Sequence, residues 1–263
     1  MTRAAAMPAP GGDLDWGLKR LHLPTIRRLY PALTAQAEKE SWTYRELLEQ
    51  LIGEEIAHRA ETRIQRATRK AKFPFLKTID EFDFAFQRSV KRKTLGRFLA
   101  PEMVTEGRSV VLLGRPGRGK THLAIAIAYK AIQNGFDARF TTAAQLLGDL
   151  HAAARRGDHD EVLEAYVAPG ILVIDELGYL AYGPDAANCL FQVIDQRYLR
   201  GRSVVITSNK EPATWGTVLH DPDLAEAIVD RVMERGEVIR LRGRSYRNPG
   251  TDEPSGEAGT ASD

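Results

Sequence analysis

The chain has 263 residues, 43% of them hydrophobic and 27% charged, as in a globular protein with room for one α/β domain and a smaller appendage. A single cysteine, Cys189, excludes an internal disulfide framework; set in a helical pattern, it reads as a small buried side chain. No run has the apolar length of a signal peptide or a membrane span, so the cytoplasm is the expected location.

The net charge of +2 hides an uneven distribution. Residues 1–13, broken by Pro8 and Pro10, read as a disordered N-terminus. Leu14 to Leu33 carries short helical pieces interrupted by Pro24 and Pro31. Thr43 and Glu46 have the spacing of a capping box and open a helix that runs to about Ala71. Leu47, Leu48, Leu51, Ile52 and Ile56 are its expected core face, and Arg59, Arg63, Arg66 and Lys70 follow as a basic stripe. Residues 14–72 are thus expected to form an N-terminal helical domain that binds a partner or DNA.

Residues 73–106 read as an aromatic and basic linker, with "KFPFLKTIDEFDFAF" breaking the helix at Pro74. Its phenylalanines (Phe73, Phe75, Phe82, Phe84 and Phe86) fit packing better than base stacking; one of them could touch an adenine, and the sequence does not select it. From Phe84 to Pro101 there is no acidic residue, while Arg88, Lys91, Arg92, Lys93 and Arg97 fall within ten positions. Such a stripe is often only a solvated face. Beside a nucleotide-driven domain, duplex DNA is the better partner.

From 107 to 247 strand and helix patterns alternate. Strands are expected at Ser109–Leu113, Asp137–Thr141, Ile171–Ile174, Ser203–Thr207 and Val238–Leu241. Helices are expected near Lys120–Asn134, Ala143–Arg156, Ala187–Arg200 and Asp223–Arg235. Five strands buried between helices predict an α/β fold with a parallel, doubly wound sheet. Residues 248–263, with four acidic residues and no Lys or Arg, read as a disordered acidic tail.

Three elements carry the chemistry. Gly114, Arg115, Pro116, Gly117, Arg118, Gly119, Lys120 and Thr121 match G-x-x-x-x-G-K-[ST] without a gap, after an apolar run and before a helical pattern that starts at His122. Glycines let the loop wrap phosphates with its N–H groups turned inward, and the helix adds its positive dipole end. Lys120 would reach the β- and γ-phosphates of ATP, and the Thr121 hydroxyl would ligate Mg²⁺. Second, "ILVIDELGYL" places Asp175 and Glu176 at the carboxyl end of a strand, where open α/β sheets bind ligands. Asp175 would hold Mg²⁺, directly or through water, and Glu176 would deprotonate the attacking water. A carboxylate set for water favours hydrolysis over transfer to another substrate. Third, "SVVITSN" ends in Thr207, Ser208 and Asn209, a polar tip that could contact the γ-phosphate or the water.

These elements, with "RFTTAAQLL", "VVITSNKEPATWGTVLHDPDLAEAIVDRVMERGEVIRLRGRSYR" and the linker, resemble the AAA+ ATPases of the DnaA/DnaC-like branch, and within it the IstB-type transposition helpers, over Leu18 to Arg247. The resemblance implies a transposase partner, head-to-tail oligomers around or along DNA, and ATP use in selecting or remodelling target DNA. It implies that Asn209 is a sensor, that Arg231 is an arginine finger given to a neighbouring subunit with Arg235 as rival, and that Arg247 senses phosphate. It places His122 with the phosphate loop in the nucleotide site. The 22 residues after Leu241 leave no room for the usual C-terminal helical lid. A DnaC-like helicase loader, or a DNA-binding scaffold switched by ATP, are the alternatives.

Overall fold

The five apolar runs pair as strands of one sheet in the computed structural model, which describes residues 13–180, 182–183 and 185–247. The expected acidic tail, and the expected disordered N-terminus apart from Asp13, lie outside the described residues. The chain divides into two compact units, Met1–Arg66 and Ala67–Asp263.

In the first unit the helices are α1 (Leu14–Arg20), α2 (Pro24–Glu40) and α3 (Tyr44–Lys70), the last continuing past the unit boundary. Pro24 opens α2, but Pro31 lies inside it, against the expectation of a break there. Proline removes one i→i−4 bond, and Pro31 sits on the solvent side, where water can take the freed carbonyl. The capping box forms: the Thr43 N–H donates to Glu46 Oε2 at 2.7 Å and the Glu46 N–H to Thr43 Oγ1 at 3.3 Å.

The core face of α3 is narrower than its apolar pattern. Leu51 is buried and Leu47 half-buried, while Leu48, Ile52 and Ile56 are 58%, 50% and 62% exposed. The buried face turns instead toward the start of α2 through Glu55, whose carboxylate accepts from the Thr25 N–H at 2.9 Å and the Ile26 N–H at 3.2 Å. Burial pushes the Glu55 carboxyl up, but the Arg59 guanidinium at 2.8 Å and the two backbone donors outweigh it and hold its pKa below the ordinary value. Arg59 also donates to the His22 carbonyl, so one arginine of the expected basic stripe is committed to packing.

After the end of α3, the next helices of the second unit are α4 (Arg92–Leu99) and α5 (Glu102–Thr105), both inside the expected linker. There follow β1 (Ser109–Leu113), α6 (Lys120–Gln133), β2 (Ala138–Thr142), α7 (Ala143–Arg156), α8 (His159–Val167), β3 (Ile171–Leu177), α9 (Ala186–Leu199), β4 (Ser203–Ser208), α10 (Trp215–Leu219), α11 (Pro222–Glu234) and β5 (Gly236–Arg240). All pairings are parallel and the order is β2-β3-β4-β1-β5. Val111, Leu172, Ile174, Val204 and Ile206 turn one face of the sheet toward α7, α9 and α11. Their buried neighbours Val110, Leu112, Val173 and Val205 point to the other face, as strand alternation requires. The chain leaves β1 for the far strand and returns through β4, so the loop after β1 sits at a topological switch point.

Two ends of this sheet are fixed differently from expectation. β3 runs on to Leu177 through a register shift after Ile174, and β5 starts at Gly236 rather than Val238. At the opposite edge from the phosphate loop, the fully buried Arg197 of α9 donates to the carbonyls of Tyr166, Val167, Pro169, Gly170 and Ser203. Burial, with Arg202 nearby, brings its pKa down to about 9. Among the described residues no helix follows β5, and none is long and apolar enough to cross a membrane.

Candidate nucleotide-binding and active site

The loop Gly114–Gly119 joins β1 to α6, and its glycines are required by what surrounds them. Gly117 and Gly119 have φ of 76° and 87°, in the left-handed region. A Cβ at Gly119 would stand 2.8 Å from the Phe82 ring, and one at Gly117 would stand 2.1 Å from Ser245 Oγ. The loop is therefore packed from outside by the linker and by the segment after β5. The Tyr246 N–H donates to the Gly117 carbonyl at 2.8 Å, and its hydroxyl to the Asp83 carbonyl at 2.8 Å.

Lys120 opens α6 and is 6% exposed. Its ammonium donates to the Gly114 and Arg115 carbonyls at 2.7 and 3.0 Å. Burial lowers its pKa to about 8 against the pull of Asp175, with Arg118 and Arg247 adding to the fall. The amine thus rests on its own loop, close to a cavity of about 400 Å³ that Pro116, Gly117, Gly119, Lys120, Thr121 and His122 line from one side. Phe75, Lys77, Glu81 and Asp83 of the linker line another side, and Tyr246 and Arg247 come from the segment after β5. His122 Nε2 lies 2.8 Å from the Thr78 carbonyl and its ring meets Phe82 edge-on at 5.2 Å; burial holds its pKa below the ordinary value.

The acid pair faces this loop. Thr121 Oγ1 donates to Asp175, 3.0 and 3.1 Å from its two oxygens. Thr207, at the end of β4, donates its hydroxyl to Asp175 Oδ1 at 2.5 Å and accepts from the Glu176 N–H at 3.0 Å. The register shift of β3 falls at this point, and Glu176 takes φ of 62°. That left-handed turn carries the Glu176 side chain out of the sheet and into the cavity lining, while Asp175 stays buried. Hydroxyl and carboxylate oxygens at this spacing suit Mg²⁺, a hard cation that prefers oxygen ligands and shares them with phosphates.

The remaining expected residues are placed differently. Asn209 is half-buried and outside the cavity lining; its Oδ1 is buried without a hydrogen-bond partner, and Thr207 is the β4 residue that reaches the cavity. Arg231 on α11 is ion-paired to Asp195 of α9 at 2.7 Å, donates to the Ala227 carbonyl at 3.1 Å and lies over the Phe191 ring. Its partner is a residue of a packed helix, whereas Glu234 within α11 lies 3.9 Å from Arg235. In the sequence Thr207 stands out only as part of a polar tip and Phe75 only as one of the linker phenylalanines, and neither Tyr179 nor Tyr246 is among the expected site residues. Tyr246 had a signal in its place between Ser245 and Arg247; Tyr179 is an ordinary residue type that only the fold brings to the cavity.

Loop, acid pair and strand order define a P-loop nucleotide-binding protein of AAA+ type. The sequence profile of the IstB-like ATP binding proteins matches residues 17–253, and the chain belongs to that family. It is 38% identical over 228 residues to a protein of insertion sequence IS5376 from Geobacillus stearothermophilus, named for ATP binding, covering 87% of this chain and 90% of the relative. The corresponding protein of insertion sequence IS21 from Pseudomonas aeruginosa is 33% identical over 235 residues, with 89% and 88% covered. Among solved structures, the DnaC helicase loader superimposes with a TM-score of 0.50 at 25% identity, over 57% of this chain and 87% of the loader. AMPPCP-bound DnaA from Aquifex aeolicus shares the fold, with a TM-score of 0.55 at 17% identity over 65% of this chain and 51% of DnaA.

Proposed function

We propose that this protein hydrolyses ATP with Mg²⁺, does so faster on duplex DNA, and assists the transposase of the same mobile element in choosing its target. The hydrogen-bonded set Thr121, Asp175, Thr207 and Glu176 at the mouth of the phosphate loop carries the reading. Lys120 exchanges its two loop carbonyls for phosphate oxygens, and the loop N–H groups cradle the phosphates. Thr121 and Asp175 hold the metal, which supplies charge neutralisation at the phosphates. Glu176, turned into the cavity, takes the proton of the attacking water. Thr207 is a positioning residue that holds the Asp175 carboxylate and the Glu176 backbone N–H. Asn209 is the proposed sensor, Arg247 a second phosphate contact, and Phe75, 49% exposed on the cavity wall, the contact for adenine.

Arg231 of a neighbouring copy is the proposed finger, with Arg235 as rival, which requires head-to-tail assembly. The proposed organisation is a partner-binding or DNA-binding helical domain at 14–72, a linker at 73–106 and the ATPase domain at 107–247, acting in the cytoplasm. Lys120→Ala should lose ATP binding. Glu176→Gln should keep binding and lose about 10²–10⁴-fold in turnover, the usual worth of a general base. A wild-type rate in Glu176→Gln removes Glu176 as the base. The likeness to the DnaC loader favours a second reading, loading of a replicative helicase. Capture of that helicase, and of no transposase, by the purified protein would decide for it.

A further inference from the structure

The basic residues picked out by sequence are not equally free to meet an anion. Arg92 is paired to Asp80 at 2.6 Å and Arg97 to Glu237 at 2.6 Å, and Arg59 is committed to Glu55. A different set of arginines converges elsewhere. Residues 85–89 of the linker and 242–244 after β5 enclose an open cleft of about 560 Å³, into which Arg88, Arg242 and Arg244 project and which no acidic side chain lines. Arg88 spends its Nε on the Ala85 carbonyl of its own turn, and the Arg242 side chain bonds to nothing among the described residues. The space exceeds what one phosphate group needs, and the charge comes from two chain segments. Both features fit a run of phosphates better than a single ion.

The floor of this cleft is wired to the nucleotide site. The Arg242 N–H donates to Ser89 Oγ at 2.9 Å, and the Ser89 hydroxyl donates to Gln87 Oε1 at 2.7 Å. The Gln87 side chain, 1% exposed, passes the chain on through its Nε2, which donates to the Arg118 carbonyl inside the phosphate loop at 3.3 Å. A buried amide whose two ends hold the cleft and the loop cannot be displaced at one end without loading the other.

We infer that this arginine cleft holds the sugar–phosphate backbone of duplex DNA, and that Gln87 and Ser89 transmit its occupancy to the phosphate loop. The inference rests on the DNA-binding reading above and assigns that reading a surface. Backbone contacts carry no sequence information, so binding here is sequence-tolerant and steeply salt-dependent. Reciprocity follows: if duplex raises affinity for the nucleotide by some factor, the nucleotide raises affinity for duplex by the same factor.

The test uses the full chain and a duplex oligonucleotide of arbitrary sequence. Binding is measured across a salt series, with and without a non-hydrolysable ATP analogue. Arg88→Gln with Arg242→Gln should reduce the slope of log K against log[salt] by roughly 1.8, about 0.9 for each phosphate that is no longer neutralised. Lys91→Gln with Lys93→Gln should reduce it less. Ser89→Ala should keep the wild-type slope while the factor by which duplex changes nucleotide affinity falls toward one; Gln87→Leu should do the same. If wild type binds duplex and the Arg88/Arg242 variant keeps its slope, the cleft assignment fails and DNA binding stands. If wild type binds no duplex, both fail. Full coupling in Ser89→Ala overturns the relay. Should the arginine variant lose a poly-glutamate peptide but no duplex, the cleft takes an acidic protein and the assignment to DNA is overturned.

Discussion

At the carboxyl end of β3 side chains of the proposed active site are already hydrogen-bonded together, whereas on α11 the proposed finger is held by groups of its own fold. Thr121 and Thr207 both donate to Asp175, and Glu176 is aimed by a backbone turn. Arg231 has the opposite setting, its guanidinium satisfied by Asp195, the Ala227 carbonyl and the Phe191 ring. On the proposed reading, one chain stores two parts of a single reaction: the groups that would work within their own subunit are organised at rest, and the arginine proposed for a neighbour is held by a local acid.

The largest effect should come from breaking the second arrangement. On the proposed reading Arg231→Ala binds ATP but loses about 10³–10⁵-fold in turnover, the range known for arginine fingers. Asp195→Asn is its control, since it frees the arginine without removing it. It should lower the melting temperature about as much as Arg231→Ala while keeping most of the turnover. Equal loss of turnover in both variants would make the pair structural and pass the role to Arg235, which is more exposed and 3.9 Å from Glu234. Mixing Arg231→Ala with Glu176→Gln on DNA should restore part of the activity, because about a quarter of randomly formed head-to-tail interfaces then hold both intact residues. A dead mixture of proteins that still co-assemble would place the finger in its own subunit or at another arginine.

A smaller effect separates pairs that serve only the fold. Glu55 meets Arg59 and two N–H groups of α2 entirely within the first unit. Glu55→Gln should lower stability by about 1–3 kcal/mol, the cost of weakening a buried charged acceptor, with no change in turnover per folded molecule. The folded-state pKa of Glu55 is depressed, so its contribution is fully present above the ordinary carboxylate value, about 4.3. It is lost as pH falls through the lower folded value. The stability advantage of wild type over Glu55→Gln, followed by circular dichroism, should therefore be full at neutral pH and shrink as pH falls below the ordinary carboxylate value.

How far these arrangements could be read from the sequence varies with the range of the interactions behind them. Gly114–Thr121 and Asp175-Glu176 were legible because each is a contiguous string whose spacing encodes a strand, a tight turn and a helix start. The five strands were legible because strands buried on both faces are continuous apolar runs. Leu48, Ile52 and Ile56 misled because an apolar period reports which residues could be buried, and the buried face of α3 is set by Glu55 reaching α2. Arg59 and Arg97 could not be separated from Arg88 by spacing alone, since their acids, Glu55 and Glu237, are chosen by the fold. The closure of the cavity by Phe75 and Tyr246 was hidden for the same reason. More than 150 positions separate them, roughly the length of a whole domain.

Glu176 has one more consequence. Its backbone occupies a region that side chains with a Cβ avoid, at a penalty of about 1–2 kcal/mol. On the proposed reading, the residue that chemistry wants at this position is therefore one that folding would rather replace. Glu176→Gly should melt at a higher temperature than wild type while failing to turn over ATP, so durability and work are opposed at a single position. A library selected for thermal tolerance alone should drift there toward glycine, leaving a sturdier protein that binds its nucleotide and never releases it as product.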